Sequence, residues 1–245
     1  MDLDLLSIRL LCVLITPSEQ DLWRRGAGLA SAPVDFELAD ATTAAAKLAR
    51  GGIDVCIVDS RLPAADRARL AAAAAAVRPK PFLVSTAPRG AARLEGVDGM
   101  LPRPASVEEA RKLVDTCIRL KVPTPVLVVD DSSTMRSIVR KILSASRFPL
   151  EIHEASEGRA ALDRLRGEKF GLVFLDYNMP GLNGIETLSD IRRDCPNVAV
   201  VMMTSVSDSL VVARAQMAGA LAFLKKPFYP ADIDAVLERY FGLRS

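Results

Sequence analysis

Short apolar segments alternate with longer segments of helical period throughout the second half of the chain. The apolar segments predict strands at residues 126–130, 150–154, 171–176, 198–204 and 221–225. The segments that follow them predict helices at residues 132–146, 157–167, 184–194, 207–218 and 230–240. Strands that are apolar on both faces are typical of a parallel sheet covered by helices on both sides. This pattern predicts a doubly wound (βα)₅ domain.

A similar alternation fills the first half, where strands are predicted at residues 8–15, 34–38, 53–59, 81–85 and 97–101. A weak internal repeat aligns Asp59 and the following Leu62-Pro63 with Asp176 and the following Met179-Pro180. Fewer residues separate the fourth and fifth strands in the first half than in the second half. The fourth helix of the first half is therefore expected to be short or irregular. We therefore expect an α/β protein with two tandem doubly wound domains, each with a parallel five-stranded sheet.

The domain boundaries follow from a short segment that contains two prolines. We predict a first domain at residues 1–120, a linker at residues 121–125 and a second domain at residues 126–245. A linker this short and stiff suits two domains that hold a preferred orientation.

Composition and charge exclude several classes of function. The chain has 32 Lys and Arg against 30 Asp and Glu, so no basic surface for nucleic acid or membrane is visible at chain level. Asp2, Asp4 and Arg9 interrupt the apolar N-terminal segment, which is atypical of a signal peptide or a membrane span. The single histidine excludes a multi-histidine metal site. We expect a cytoplasmic protein with neither nucleic acid nor membrane as partner.

Chemically capable side chains lie at the ends of four predicted strands of the second half: Asp130-Asp131, Asp176, Thr204 and Lys226. Ligands of open α/β sheets bind at the carboxyl ends of the strands, so these groups are expected to converge. Crowded carboxylates favour a hard cation such as Mg²⁺, and a metal, a lysine and a hydroxyl suit phosphoryl transfer. Asp176 is the predicted nucleophile.

Each of these residues also has a simpler explanation. Asp131 alone is compatible with a helix cap, Asp176 with a turn, and Lys225-Lys226 with a solvated basic pair. Their occurrence together at four strand ends favours the shared site.

Three segments resemble the response-regulator receiver family, and its chemotaxis type in particular. They are VLVVDDSSTMR at 126–136, LDYNMPGLNG at 175–184 and FLKKPF at 223–228. The resemblance implies a flavodoxin-like fold in which Asp176 is the phosphoacceptor. It also implies that Mg²⁺ is bound by Asp131, Asp176 and the backbone carbonyl of Asn178, with Asp130 acting mainly through water.

The same resemblance assigns Thr204 and Lys226 to the phosphoryl oxygens and Phe223 to a switch position coupled to Thr204. Lys226 is preferred to Lys225 because it immediately precedes Pro227, in a peptide bond that is a candidate for the cis form.

The first half departs from the family pattern at the positions that carry the chemistry. Thr16-Pro17 replaces the acidic pair, Arg103 replaces the lysine, and Arg61 stands where the family offers a carbonyl to the metal. Ser85 or Thr86 stands in the position of Thr204. A second cation is disfavoured beside Arg61. The first domain is therefore expected to be a degenerate receiver, or pseudo-receiver, with Asp59 as a vestige.

The resemblance implies a two-component response regulator in a phosphorelay, phosphorylated on Asp176 by a histidine kinase or phosphotransfer protein. We expect no DNA-binding or enzymatic output domain, and no catalysis beyond its own phosphoryl transfer and hydrolysis. Output would pass through an unidentified output protein, with a homodimer as a further option.

Two alternatives belong to other classes. One is an adaptor that binds partners irrespective of phosphorylation. The other is a haloacid-dehalogenase-like phosphatase, which requires Asp-x-Asp where this chain has adjacent Asp130-Asp131.

Overall fold

The computed structural model describes residues 7–181, 183–205 and 209–244. These residues form two compact units, Met1–Val122 with Phe241–Ser245 and Pro123–Tyr240. The sequence places residues 241–245 in the second domain, whereas the contacts of the described residues 241–244 belong to the first unit. The Met100 N–H donates to the Leu243 carbonyl at 2.7 Å, and the Phe241 ring is buried under the Arg119 guanidinium.

The first unit is a parallel five-stranded sheet with the strand order β2-β1-β3-β4-β5. Its elements are β1 Ile8–Val13, α1 Pro17–Gly28, β2 Val34–Leu38, α2 Ala41–Arg50, β3 Val55–Asp59, α3 Ala64–Ala75, β4 Phe82–Ala87, β5 Gly99–Pro102 and α4 Val107–Arg119. Residues 88–98, between β4 and β5, contain turns in place of the helix that the (βα)₅ pattern would put there. The expected irregular fourth connection is thus a loop.

The second unit has the corresponding parallel order, β10-β9-β8-β6-β7. Its elements are β6 Thr124–Val129, α5 Ser133–Ser144, β7 Leu150–Ala155, α6 Gly158–Gly167, β8 Leu172–Asp176, α7 Gly184–Asp194, β9 Ala199–Thr204, α8 Ser209–Met217, β10 Ala222–Lys225 and α9 Pro230–Tyr240. The predicted start of its fourth helix at Ser207 lies outside the described residues. Both units have the predicted flavodoxin-like α/β architecture.

Local sequence explains how the second unit's elements begin and why its strands are interior. Ser132 caps α5 by accepting the Met135 N–H, and Asn183 and Glu186 form a capping box at α7. Every residue of β8 is buried, since helices cover both faces of the sheet. The core beneath α6 and α7 is apolar and includes Leu175, Leu188 and Met202.

Strand order fixes where a site can form. In the second unit the chain runs from β6 outward to β7, then returns to the other side of β6 with β8, so the order reverses between β6 and β8. The first unit reverses in the same way between β1 and β3. A crevice outside the carboxyl ends of the strands opens at such a reversal. Among the described residues, no helix is both long and apolar enough to cross a membrane.

Candidate functional site

Three carboxylates meet in the second unit at the point between β6 and β8 where the strand order reverses. Asp130 follows β6 and Asp176 ends the neighbouring β8, whose Leu175 is in register with Val129. One carboxylate oxygen from each of Asp130, Asp131 and Asp176 lies within 4.8 Å of the others. Asp130 and Asp176 are buried, Asp176 with 4% exposure, while Asp131 is exposed. The structure therefore brings together the acidic residues that the sequence singled out.

Lys226 adds a cation to this cluster. Its Nζ lies 2.7 Å from Asp130 Oδ2 and 2.9 Å from Asp176 Oδ1, whereas the Lys225 side chain is exposed. The Lys226 backbone N–H donates to the Thr204 carbonyl at 2.6 Å, and the Lys226–Pro227 peptide bond is cis. The lysine at the carboxylates is thus the one that precedes the proline.

Burial and charge act in opposite directions on the ionisable groups of the cluster. Burial raises the pKa of Asp176, and the Asp130 charge adds to this, against the hydrogen bond that Lys226 donates. Burial alone would lower the pKa of Lys226, but its hydrogen bonds to Asp130 and Asp176 outweigh that effect and raise it. Lys226 is held in its charged form. Its positive charge does not fully offset the effects of burial and of Asp130 on the Asp176 carboxylate.

The donor set fits a hard divalent cation. Among the described residues, three convergent carboxylates face the Lys226 ammonium, so negative charge exceeds positive charge at the site. Carboxylate oxygens are the ligands that Mg²⁺ prefers, and a divalent ion would offset that excess. Asn178 is also at the site, because its backbone N–H donates to the Asp176 carboxylate. The proposed metal contact of its carbonyl stays a prediction.

Thr204 and Phe223 occupy the next two strands. Thr204 ends β9 and is fully buried, and its strand neighbour in β10 is Lys225. Phe223 is half-buried, lies opposite Met202 and packs against the apolar core of the second unit. Their predicted roles, at the phosphoryl oxygens and as a switch, stay predictions.

Residues 126–238 match the family model described as the response regulator receiver domain. The chain is 36% identical over 118 residues to chemotaxis protein CheY-3 of Vibrio cholerae, covering 47% of this chain and 90% of that protein. That degree of likeness decides the family. The chain belongs to the response regulator receiver family.

Two further relatives match the same receiver. Chemotaxis protein CheY of Thermotoga maritima is 31% identical over 114 residues, which cover 46% of this chain and 94% of that protein. Among solved structures, chemotaxis protein CheY4 of Vibrio cholerae aligns at 28% identity over 49% of this chain and 99% of its own, with a TM-score of 0.45.

Two residues around the receiver site were missed in the sequence. Arg136 of α5 donates to the backbone carbonyls of Asp130 and Asp131, a contact that its position alone does not reveal. Gly184 begins α7 so close to β8 that an added Cβ would lie 2.4 Å from the Asp176 carbonyl oxygen. The glycine was visible in the quoted motif, but its packing role was not.

The receiver-like first unit has a different arrangement at its own strand reversal. Asp59 ends β3 with 0% exposure and accepts from Arg61 Nε at 2.9 Å and Arg61 Nη2 at 2.6 Å. It also accepts from the backbone N–H of Arg61 at 2.9 Å and from Arg103 Nη2 at 3.3 Å. Two guanidinium groups therefore surround this aspartate.

A second carboxylate completes the cluster of the first unit. Glu19 of α1 is buried, pairs with Arg61, and lies 3.2 Å from Arg103 Nε. Thr16, in the place of the family's acidic pair, donates its hydroxyl to Glu19 at 2.5 Å. Glu19 was not singled out in the sequence, where it reads as an ordinary acidic residue in a first helical turn.

The guanidinium groups control the ionisation of Asp59. Burial alone would raise the pKa of Asp59, but hydrogen bonds from Arg61 and from the Ile15 N–H, with the Arg61 charge, hold it below its usual value. Two carboxylates and two guanidinium groups compensate one another. Among the described residues at this site, the positive and negative charges are therefore equal in number.

Proposed function

We propose that Asp176 of this two-component response regulator accepts a phosphoryl group, with Mg²⁺ held by Asp130, Asp131, Asp176 and the Asn178 carbonyl. The observation that carries this proposal is the convergence of three carboxylates and the Lys226 ammonium at the strand reversal. The donor would be a histidine kinase or phosphotransfer protein.

The chemistry follows from the atoms present. An Asp176 carboxylate oxygen forms a bond to phosphorus as the bond from phosphorus to the donor's imidazole nitrogen breaks, and that nitrogen keeps the electron pair. Lys226 is close enough to Asp176 to pair with a new phosphoryl oxygen, and Thr204 would donate its hydroxyl to another. Bound Mg²⁺ would supply positive charge beside the transferring group. Phosphoryl transfer depends mainly on such positioning and charge stabilisation.

Output would be a change in protein–protein interaction. Repositioning of Thr204 and Phe223 would bias an equilibrium between two surfaces of the receiver, one of which an output protein binds better. We propose that the protein works in the cytoplasm and catalyses only its own phosphoryl transfer and hydrolysis.

The first unit favours a second role within the same protein. Because Asp59 is enclosed by Arg61 and Arg103, a phosphodonor would have to displace two hydrogen-bonded guanidinium groups to reach it. We propose that this unit is not itself phosphorylated and serves as a module for docking, dimerisation or inhibition whose contacts change when the second unit is phosphorylated.

Intact-protein mass spectrometry after incubation with Mg²⁺ and acetyl phosphate tests both roles. The wild type is expected to gain one phosphoryl group, which Asp59→Ala retains and Asp176→Ala loses. Two additions in the wild type would contradict the proposed role of the first unit. No addition from acetyl phosphate or from a histidine-kinase donor would favour a constitutive adaptor.

A further inference from the structure

Arg136 connects three elements around the acidic pair. From α5, its Nη1 donates to the Asp130 carbonyl at 2.8 Å and to the Asp131 carbonyl at 3.3 Å. Its Nε donates at 3.0 Å to Glu154 Oε2, on β7. The Arg136 side chain is 17% exposed, and its contacts with Glu154 and the Asp130 carbonyl are partly buried.

Those carbonyls belong to the loop that orients two of the proposed metal ligands. The direction of a carboxylate depends on the dihedral angles of its own backbone, and a carbonyl held by a guanidinium restricts those angles. Asp130 is further fixed, because its Oδ1 accepts the Ser132 N–H at 2.9 Å and its Oδ2 accepts from Lys226. The exposed Asp131 depends more on its backbone for a defined direction.

We propose that Arg136 is a positioning residue that holds the loop of Asp130 and Asp131 in the geometry that binds Mg²⁺. This inference rests on the proposed function, because it assumes that the acidic pair binds the metal. Arg136 itself does not ligate the ion. It acts through the loop carbonyls, with Glu154 as its anchor.

Charge and positioning predict opposite effects when Arg136 is replaced. A guanidinium close to a cation site repels the cation, so removing its charge would tighten Mg²⁺ binding if Coulomb forces alone mattered. Loss of loop geometry would weaken it, and partners that orient metal ligands are typically worth about 10–100-fold in affinity. The direction of the change therefore separates the two effects.

Calorimetric titration of the full chain with Mg²⁺ at neutral pH is the test. Arg136→Gln is expected to weaken binding about tenfold. Arg136→Lys keeps the charge but lacks the planar fork that reaches two carbonyls and Glu154 together, so it should also weaken binding. The matched control is Arg140→Gln: Arg140 lies 3.4 Å from the same Glu154 and is more exposed, and this variant should bind as the wild type does.

A second variant keeps the inference testable. If Arg136→Gln fails to fold, Glu154→Gln, which loosens the anchor, should weaken Mg²⁺ binding by a smaller factor. Unchanged or tighter binding in the folded Arg136 variants would overturn the positioning role while leaving the metal site intact. No Mg²⁺ binding in the wild type, or undiminished binding in Asp131→Ala, would overturn the proposed site and this inference with it.

Discussion

Asp59 and Asp176 each end the third strand of a parallel sheet, beside the point where the strand order reverses. Around Asp176 three carboxylates share one ammonium, whereas around Asp59 two carboxylates share two guanidinium groups. The backbone frame is the same and the charge balance is not. The carboxylates around Asp176 favour an added cation, whereas those around Asp59 are already paired with arginines of the same unit.

The type of cation strengthens this difference. A guanidinium has a rigid planar fork that pairs with carboxylates through several hydrogen bonds, and Arg61 uses it on both Asp59 and Glu19. The Lys226 ammonium is a single charged group on a flexible chain, so it can move between oxygens as the site changes. The cluster around Asp59 is suited to one fixed set of hydrogen bonds. In the cluster around Asp176, the lysine is suited to exchange one oxygen partner for another.

Removal of a carboxylate is expected to have the largest effect on metal binding. Asp131→Ala should reduce Mg²⁺ affinity more than about 100-fold, because a ligand is worth more than the 10–100-fold typical of groups that only orient ligands. Since Asp131 is exposed, folding should be nearly unaffected. The control is Asp59→Asn, for which calorimetric titration should give the wild-type affinity; a change there would place metal in the first unit.

Breaking the arginine cluster is expected to destabilise the first unit selectively. Arg61→Ala should lower its free energy of unfolding by roughly 2–3 kcal/mol, below the about 3–5 kcal/mol of a fully buried pair because Arg103 remains and Arg61 is partly exposed. Fluorescence of Trp23 during urea unfolding gives the measurement, since this only tryptophan is buried in the first unit.

The matched control for that experiment is Arg69→Ala. Arg69 makes an exposed pair with Asp66, so its loss should cost less than about 0.5 kcal/mol. Recovery of Arg61→Ala stability by Mg²⁺ would mean that the first unit has a usable metal site, and the contrast between the two sites would fail.

Lys226→Ala should retain Mg²⁺ binding, with affinity unchanged or a few-fold tighter. The ammonium competes with the metal for the oxygens of Asp130 and Asp176, so its removal frees them. The conformational response to phosphorylation should nevertheless be largely lost, as followed by near-ultraviolet circular dichroism. Lys225→Ala should leave both properties unchanged, and the reverse result would exchange the roles of the two lysines.

The smallest effect expected is an opposite pH dependence of the two aspartates. The lowered pKa of Asp59 contributes stability that is present above about pH 4, the ordinary range of an Asp, and is lost as pH falls through its folded-state pKa. The raised pKa of Asp176 in the metal-free receiver contributes stability at low pH that is lost as pH rises through its folded-state value.

Urea unfolding across the acid range, with Mg²⁺ removed by chelation, tests this pair. Asp59→Asn should reduce the loss of first-unit stability at acid pH, as followed by Trp23 fluorescence. Asp176→Asn should raise the stability of the second unit at neutral pH relative to the wild type, as followed by circular dichroism of the tyrosines, all three of which lie in that unit. If both substitutions changed the pH dependence of the unfolding free energy in the same direction, the assigned charge environments would be wrong.

The strands were predictable because burial on both faces forces continuous apolar segments, as in β8. The reactive residues of the receiver were predictable because the strand ends of a parallel sheet lie at one edge, whatever their distance along the chain. The short connection between β4 and β5 predicted a short or irregular fourth helix in the first unit, and the structure has a loop there instead. Boundaries shifted by one to several residues where capping, such as that by Ser132, set the first helical turn.

The amino-acid sequence by itself determined the α/β class, the two parallel sheets and the residue types at each strand end. Only the tertiary structure decided which distant groups meet: Glu19 reaches Arg61 and Arg103, and Arg136 reaches the carbonyls of Asp130 and Asp131. Hydrophobic periodicity is repeated along each element and can be read locally. A hydrogen bond between distant residues depends on how whole elements pack, and no local pattern records it.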